Sequence, residues 1–201
     1  MKMSLQPARQ PGRPRNESVR IRIQQAAIDL LIEGGYLALT CDAIALRAKT
    51  SKATIYRWWP NKAQVIIDAF VEAMIPSLPV YPASTLEEFV SFHVQQFIQA
   101  VNGQNGKFLA AILAAAQYVP EVREAYLEHW FRPRRKLLYR AMRHLQQSGH
   151  LDKKTDLDTV LDILYGPLFM LLLVQHRRLS TTYAEQLVPM LLYGIRHQTG
   201  A

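Results

Sequence analysis

Residues 40–62, TCDAIALRAKTSKATIYRWWPNK, hold the side chains with the clearest chemical use in this 201-residue chain. The segment predicts two short helices, one over 41–48 capped by Thr40 and a second capped by Ser51 that runs through Trp58. With only three or four residues between them, the two helices must cross steeply, as they do in a helix-turn-helix unit. In that unit the second helix places its N-terminal side chains in the major groove of DNA.

The residue types on the second helix suit contact with nucleic acid. Lys52, Thr54 and Arg57 are polar and point outward, whereas Ile55 and Trp59, four residues apart, form the inward face. Arginine can read guanine with two parallel hydrogen bonds, and lysine binds phosphate as a compact cation. The pattern therefore predicts DNA binding, although short capped helices with exposed cations also occur as purely structural supports.

Positive charge is concentrated at the N-terminal end of the chain. Residues 1–62 hold eleven Lys and Arg against four Asp and Glu, a net charge of +7, and the rest of the chain carries only +1. A basic head on a nearly neutral body is expected to bind a polyanion. The Pro- and Arg-rich residues 1–16 lack the apolar core of a signal peptide and are interpreted as a flexible basic arm.

Hydrophobic periodicity predicts helices throughout, because no alternation of apolar and polar residues persists long enough for a strand. The first helix is expected over 17–34, where two glycines stop it, and the fourth follows Asn61, which forms a capping box with Gln64. Four helices make a head over 17–75. Three prolines then fall within seven residues, which interrupts continuous helix and predicts a domain boundary.

A helical body is expected over residues 84–201. Its five helices are predicted at about 86–101, 107–118, 121–148 with a kink at Pro133, 156–178, and from a cap at Thr182 to about 198. The fold class is thus all-α with about nine helices, an N-terminal helix-turn-helix head and a C-terminal body. The longest apolar run, 163–174, is shorter than the roughly twenty residues that span a bilayer. We therefore expect a soluble, cytoplasmic protein without a membrane partner.

Six short stretches between residues 12 and 70 stand in the order and spacing of a known family. They are GRPR at 12–15, AAIDLL at 26–31, GY at 35–36, T-x-x-x-IA at 40–45, SKATIYR at 51–57 and PNK at 60–62. This part of the chain resembles the DNA-binding head of the TetR family of bacterial transcriptional regulators. The length and all-α body also agree with that family.

The resemblance implies a role for each matched residue at the DNA. Base contacts are expected from Lys52, Ala53, Thr54 and Arg57. Phosphate contacts are expected from Thr40, Tyr56, Trp58 and Lys62, with Ser51 in the same interface, and Arg13 and Arg15 would follow the backbone or enter a minor groove. Lys49 stands where the family usually has glycine. A positive φ there costs a non-glycine residue of order 1 kcal/mol, and we expect the turn to survive and Lys49 to add a phosphate contact.

The resemblance also implies a homodimer joined by the last two helices of each subunit. The residues that could form this interface are Leu161, Leu164, Leu168, Leu172, Leu187, Met190, Leu191 and Ile195, although all of them could equally be internal core. A ligand cavity coupled to the spacing of the two heads is implied in the body. Its candidate lining residues, each of which could instead be plain core, are Phe92, Phe97, Phe108, Tyr118, Tyr126, Trp130, Tyr165, Phe169 and Met170.

The sequence gives little support for catalysis or for binding of a metal or cofactor. The histidines show no metal-ligand spacing, and no phosphate loop or nucleophile elbow is present, so we expect neither an enzyme, a metal nor a cofactor. The single cysteine, Cys41, permits no internal disulfide; it is either a redox sensor or a small polar residue near phosphate. The basic cluster 132–136 is interpreted as a solvated helix face, with a second nucleic-acid patch as the alternative.

The sequence therefore predicts a dimeric DNA-binding regulator, most simply a repressor that leaves a palindromic operator when a small-molecule effector binds. Two alternatives stay open. A nucleoid-type protein would bind DNA without sequence preference, and a small-molecule-binding protein with a vestigial head would not bind DNA. The operator, the regulated genes, the effector and the sign of regulation are not readable from the residues.

Overall fold

A computed structural model describes the backbone of residues 17–175 and 177–197, with side chains to residue 194. Arg13, Arg15 and the side chain of Ile195 lie outside the described residues. The described chain is entirely helical, which confirms the predicted fold class. The head contains α1 Glu17–Ala38, α2 Cys41–Arg47, α3 Lys52–Tyr56 and α4 Lys62–Met74. The body contains α5 Leu86–Ala100, α6 Gln104–Ala116, α7 Pro120–Tyr126, α8 Arg132–Gln147, α9 Leu157–Val174 and α10 Thr181–His197.

A five-residue π-helical segment, Leu127–Phe131, joins α7 directly to α8. α7, the π segment and α8 follow one another without a break, where the sequence predicts a single kinked helix over 121–148. With these three counted as one helix, the described residues form nine helices. The π segment ends at Phe131, two residues before Pro133. Pro133 itself lies in the first turn of α8. A proline lacks the backbone N–H that would close the preceding turn, which accounts for irregular helix at this position.

Side-chain caps start most of these helices at the predicted places. Four predicted cap residues accept the backbone N–H three residues further on at 2.9–3.2 Å, namely Thr40, Ser51, Asn61 and Thr85. The cap predicted at Thr182 is wrong by two residues. Ser180 is the residue whose hydroxyl accepts the N–H of Tyr183, and the helix begins at Thr181.

Two helix ends differ from their predicted positions for local conformational reasons. α1 continues past the expected stop, but Gly35 (φ 70°, ψ −177°) breaks its helical geometry, so the stop is present as a kink inside the helix. α9 ends at Val174, four residues early, because Gln175 adopts the left-handed conformation with φ 55°. A left-handed residue commonly ends a helix because it turns the chain out of the helical path.

The head and the body share one hydrophobic core. α1 packs on α6, and α4 packs on α6, α7 and the π segment. Phe70 of α4 is fully buried, and its ring centroid lies 5.1–6.0 Å from those of Phe108, Tyr126 and Trp130 of the body. A displacement of these body helices therefore reaches α4 through direct side-chain contact.

α9 is long and apolar enough, by length and composition, to cross a membrane, with a mean hydropathy of 1.8 over its 18 residues. In this structure it instead packs against α5, α6, α8 and α10. A core helix passes the same test of length and composition. Packing thus accounts for its buried apolar residues, which make up 39% of the helix.

The turn between α2 and α3 contains a strained residue, as the sequence suggests. Lys49 has φ 51°, in the left-handed region that favours glycine. A Lys49→Gly variant is therefore expected to raise the free energy of unfolding by about 1 kcal/mol, measured by urea denaturation. Lys49→Ala is the control, since it removes the long side chain but keeps the strained Cβ. Equal stability of the glycine and alanine variants would contradict this account.

Candidate DNA interface and body cavity

The recognition unit is assembled from α2 and α3 around a small buried contact. Ile44 and Ala45 of α2 and Ile55 of α3 are buried, and the N–H of Thr50 in the turn donates to the carbonyl of Ala45 at 3.0 Å. The opposite side of α3 carries the exposed residues Lys52, Ala53, Tyr56 and Arg57, and the half-buried Thr54. Of the residues predicted to read bases, Lys52, Ala53 and Arg57 are thus exposed and Thr54 is half-buried.

Residues at the start of α2 hold two side chains of α3. Asp42 pairs with the Lys52 ammonium at 3.0 Å between Oδ1 and Nζ, and this contact raises the pKa of Lys52. A hydrogen bond with Cys41 raises the pKa of the Tyr56 hydroxyl. Asp42 is therefore a residue of the interface that sequence reasoning missed, because its pairing depends on the crossing of the two helices.

The serine cap of α3 is engaged with its neighbour. The Ser51 hydroxyl accepts the N–H of Thr54, and the two side-chain oxygens lie 3.0 Å apart. Thr40 caps α2 in the same way while remaining exposed, so its own O–H stays available as a donor. The two caps place short hydroxyl side chains at the N-terminal ends of both helices of the unit.

Lys62 and Trp58 have structural partners within the head. The Lys62 ammonium donates to the carbonyls of Tyr36 at 3.0 Å and Leu39 at 2.6 Å, where it closes the kinked end of α1. Desolvation lowers its pKa. The Trp58 ring stacks on Trp59 with centroids 5.9 Å apart and lies just beyond the end of α3, which is two residues shorter than predicted. Contacts of Lys62 and Trp58 with phosphate stay predictions.

A cavity of about 310 Å³ lies between α4 of the head and the helices of the body. Five of the nine predicted lining residues contribute to its wall, namely Phe97, Tyr126, Trp130, Tyr165 and Phe169. The other four lie elsewhere. Phe108 is buried against Phe70, and Phe92 stacks on Tyr81 with centroids 4.9 Å apart. Tyr118 and Met170 are exposed.

Sequence reasoning missed the contribution of the head to this cavity. Phe70 and Met74 of α4 line it, alongside the body residue Leu109. All three side chains are buried, but periodicity within one helix cannot show that its inward side meets a second domain. The cavity wall therefore includes α4, a helix of the head.

The basic cluster 132–136 requires a correction, because two of its members are not on a solvated face. Arg134 and Arg135 are half-buried and line the cavity. Arg135 pairs with Asp158 at 2.7 Å and Asp162 at 2.8 Å. Helical geometry explains the difference, since these residues lie one turn before the buried Leu138, on the side that α8 turns toward α9.

The predicted dimer residues also require a correction. Six of them are buried inside the protomer, where a partner cannot reach them: Leu161, Leu164, Leu168, Leu172, Leu187 and Leu191. Met190 is exposed. α9 is apolar around its circumference, so the sequence alone could not separate the side that faces the core from the side that faces outward.

A different set of apolar residues on α9 and α10 is exposed, and we call it the outer apolar face. On α9 the spacing of its members, i, i+7, i+10 and i+11, places them on one side of the helix. The outer apolar face consists of Ile163, Met170, Leu173, Val174, Met190 and Tyr193. α9 and α10 are in contact with each other.

The fold and the site define a helix-turn-helix DNA-binding protein whose recognition unit is packed on a cavity-bearing helical body. Comparison with known families agrees in both parts. Residues 23–69 match the bacterial regulatory proteins of the tetR family, and residues 86–191 match the tetracyclin repressor-like C-terminal domain. The chain belongs to the TetR family of bacterial transcriptional regulators.

Similar proteins extend the match to nearly the whole chain. An uncharacterized HTH-type transcriptional regulator of Bacillus subtilis, YdeS, is 35% identical over 185 residues, covering 92% of this chain and 93% of that protein. The TetR family transcription regulator SCO0332 superposes with a TM-score of 0.70 at 25% identity, covering 89% of this chain and 98% of that one. FadR of Bacillus subtilis, solved in complex with stearoyl-CoA, gives a TM-score of 0.71 at 21% identity, covering 87% and 98%.

Proposed function

We propose that this protein is a cytoplasmic repressor that binds a palindromic operator as a homodimer and leaves it when a small molecule occupies the body cavity. The observation that carries this proposal is the position of α4. Phe70 and Met74 of α4 line the cavity. Two residues before Phe70, the Asp68 carboxylate accepts the indole N–H of Trp59 at 2.7 Å. One helix thus joins the ligand site to the end of the recognition unit.

This connection supports coupling between the two sites. A ligand that displaces Phe70 or Met74 displaces α4, and Trp59 follows α4 through its hydrogen bond to Asp68. A ligand that prefers the displaced conformation lowers operator affinity, and by linkage the operator lowers ligand affinity by the same factor. The stearoyl-CoA complex of FadR supports small-molecule binding within this fold.

A homodimer is proposed because a single recognition helix reads too few bases for much specificity. Two copies with twofold symmetry place two recognition helices on the halves of a palindrome. The outer apolar face of α9 and α10 supplies the proposed interface, since large exposed apolar side chains grouped on two adjacent helices commonly mark a contact between proteins. Within each head, Lys52, Ala53, Thr54 and Arg57 are proposed to face bases.

Selection from a random pool of duplex DNA tests the proposed function. The wild-type protein is expected to recover a palindromic consensus, and a Lys52→Ala/Tyr56→Ala variant is expected to bind that consensus at least about 10-fold more weakly. The matched control is Lys107→Ala/Tyr118→Ala, which removes one lysine and one exposed tyrosine from the body and is expected to recover the same consensus. Recovery of unbiased DNA by the wild type would favour a nucleoid-type protein, and recovery of none would favour a vestigial head.

A further inference from the structure

Arg134 is a cation inside the cavity wall whose charge is not neutralised by the protein. One of its terminal nitrogens, Nη1, donates to the backbone carbonyl of Leu78. The other, Nη2, is buried and has no hydrogen-bond partner within the described part of the chain. No carboxylate lies within 4.0 Å of its guanidinium among these residues either. A buried donor on a cation is costly when it has no acceptor, so the open Nη2 of the half-buried Arg134 favours binding of an anion.

The neighbouring Arg135 lines the same cavity, but its charge is neutralised by the protein. It is paired with two carboxylates, Asp158 and Asp162. Both carboxylates are themselves mostly exposed to solvent, and their short contacts are with Arg135. Arg134 is thus the cavity-lining cation that is left with an open donor.

The other polar groups near Arg134 offer it no negative charge. Burial raises the pKa of the Tyr165 hydroxyl, so Tyr165 lines the cavity as a neutral O–H, although the charge of Arg134 and a hydrogen bond with the Arg134 side chain oppose part of that shift. Burial and the charge of Arg134 lower the pKa of His93 to about 3, which keeps its imidazole neutral. An anion placed against Arg134 would therefore meet hydrogen-bond donors and no unpaired carboxylate.

Apart from Arg134, Tyr165 and the paired Arg135 and Asp162, the lining of the cavity is apolar. Seven of its sixteen lining residues are aromatic. Its volume of about 310 Å³ lies at the lower end of the roughly 300–1,000 Å³ typical of small-molecule pockets, which favours a small ligand. Aromatic walls favour a ligand whose body is apolar, and planar rings pack especially well against them.

We propose that the effector of this protein is a small apolar monoanion, such as an aromatic carboxylate, whose charged group binds Arg134. This inference rests on the proposed function only in treating the cavity as the effector site. The anionic group accepts hydrogen bonds from the Arg134 guanidinium, and the apolar body lies between Phe97, Tyr126 and Phe169. Arg134 is the residue that selects for negative charge.

Isothermal titration calorimetry at pH 7.5 with two matched probes tests this assignment. 2-Naphthoate and 2-naphthalenemethanol share one ring system and differ in the charged group. The wild-type protein is expected to bind 2-naphthoate about 10- to 100-fold more tightly than the alcohol, the range of a charge-assisted hydrogen bond. The pair decanoate and decanol repeats the comparison with an aliphatic body and shows which kind of body the cavity prefers.

Variants separate the contribution of Arg134 from that of the general charge of the protein. Arg134→Met is expected to bind 2-naphthoate and its alcohol with similar affinity, and retained binding of the alcohol shows that the cavity is intact. Lys136→Met removes an equally charged, exposed residue from the same helix and is expected to keep the wild-type preference. Arg134→Lys retains the charge but not the paired donors, so an intermediate preference is expected even if Arg134→Met fails to fold.

Three results would overturn the assignment: equal affinity of the wild type for acid and alcohol in both probe pairs, an undiminished preference in Arg134→Met, or no binding of any probe. None of these three results tests binding to the operator, because the selection from random duplex DNA is carried out without a ligand. Loss of the proposed function would instead appear as absence of a palindromic consensus, whichever probe binds.

Discussion

A Val174→Glu/Met190→Glu variant is expected to be a folded monomer of 23.0 kDa that binds the operator more than about 100-fold more weakly than the wild type. Both side chains are largely exposed in the protomer, 60% for Val174 and 72% for Met190. A glutamate at either position therefore costs little in the isolated chain. At a twofold interface the same carboxylates would be buried without partners and repeated by symmetry, which costs several kcal/mol.

Sedimentation velocity measures the mass of each variant, and fluorescence anisotropy measures its affinity for the selected operator. Tyr118→Glu is the control, because it introduces the same charge at an exposed aromatic residue outside α9 and α10 and should leave the dimer intact. A dimeric double variant would place the interface on another surface. A monomeric wild-type protein would contradict the proposed dimer altogether.

Some features of the molecule could be predicted from the sequence because they depend only on residues that are close together in the chain. The caps at Thr40, Ser51 and Asn61 are found as predicted, because a capping side chain acts on a backbone N–H three residues away. The left-handed turn at Lys49 is local for the same reason. Features set by neighbouring residues in the chain were therefore predictable with little knowledge of the tertiary structure.

Features that depend on how the helices are arranged were not predictable in this way. An apolar stripe shows that a helix has a buried side, but α9 is apolar on several sides, so its leucines could not be divided between core and interface. Arg134 looks like a surface cation in the sequence and becomes a cavity residue only when α8 packs on α9. The position of Arg134 in the cavity wall was therefore not predictable from the sequence alone.

The second prediction with a large expected effect is a loss of stability at acidic pH that depends on His93. This residue is buried between helices, with its ring centroid 4.3 Å from that of Phe89 and 5.4 Å from that of Phe92. Both ring nitrogens are buried without a hydrogen-bond partner among the described residues. Burial, together with the like charge of Arg134, lowers the pKa of His93 from 6.5 to about 3. The imidazole stays neutral in the folded protein at pH values where it is protonated in the unfolded chain.

The direction of this pH dependence is set by whether the folded or the unfolded state binds a proton at His93. Below pH 6.5 the unfolded chain takes up a proton at His93 that the folded protein does not, so the free energy of unfolding falls as the pH decreases toward 3. Each pH unit in this window contributes about 1.4 kcal/mol. At pH 4.5 the loss attributable to His93 is therefore about 3 kcal/mol relative to pH 7.5, a large fraction of the 5–15 kcal/mol typical of a folded domain.

Urea denaturation at pH 7.5 and pH 4.5 of the wild type and of His93→Leu measures this contribution. Leucine is close to histidine in size and does not titrate, so His93→Leu is expected to lose about 3 kcal/mol less stability between the two pH values than the wild type. At pH 7.5 the variant should be at least as stable, since no hydrogen bond to the ring is given up. His150→Gln, which replaces an exposed histidine, should follow the wild type at both pH values. Parallel losses in wild type and His93→Leu would show that His93 is protonated in the folded protein and that its burial does not govern acid stability.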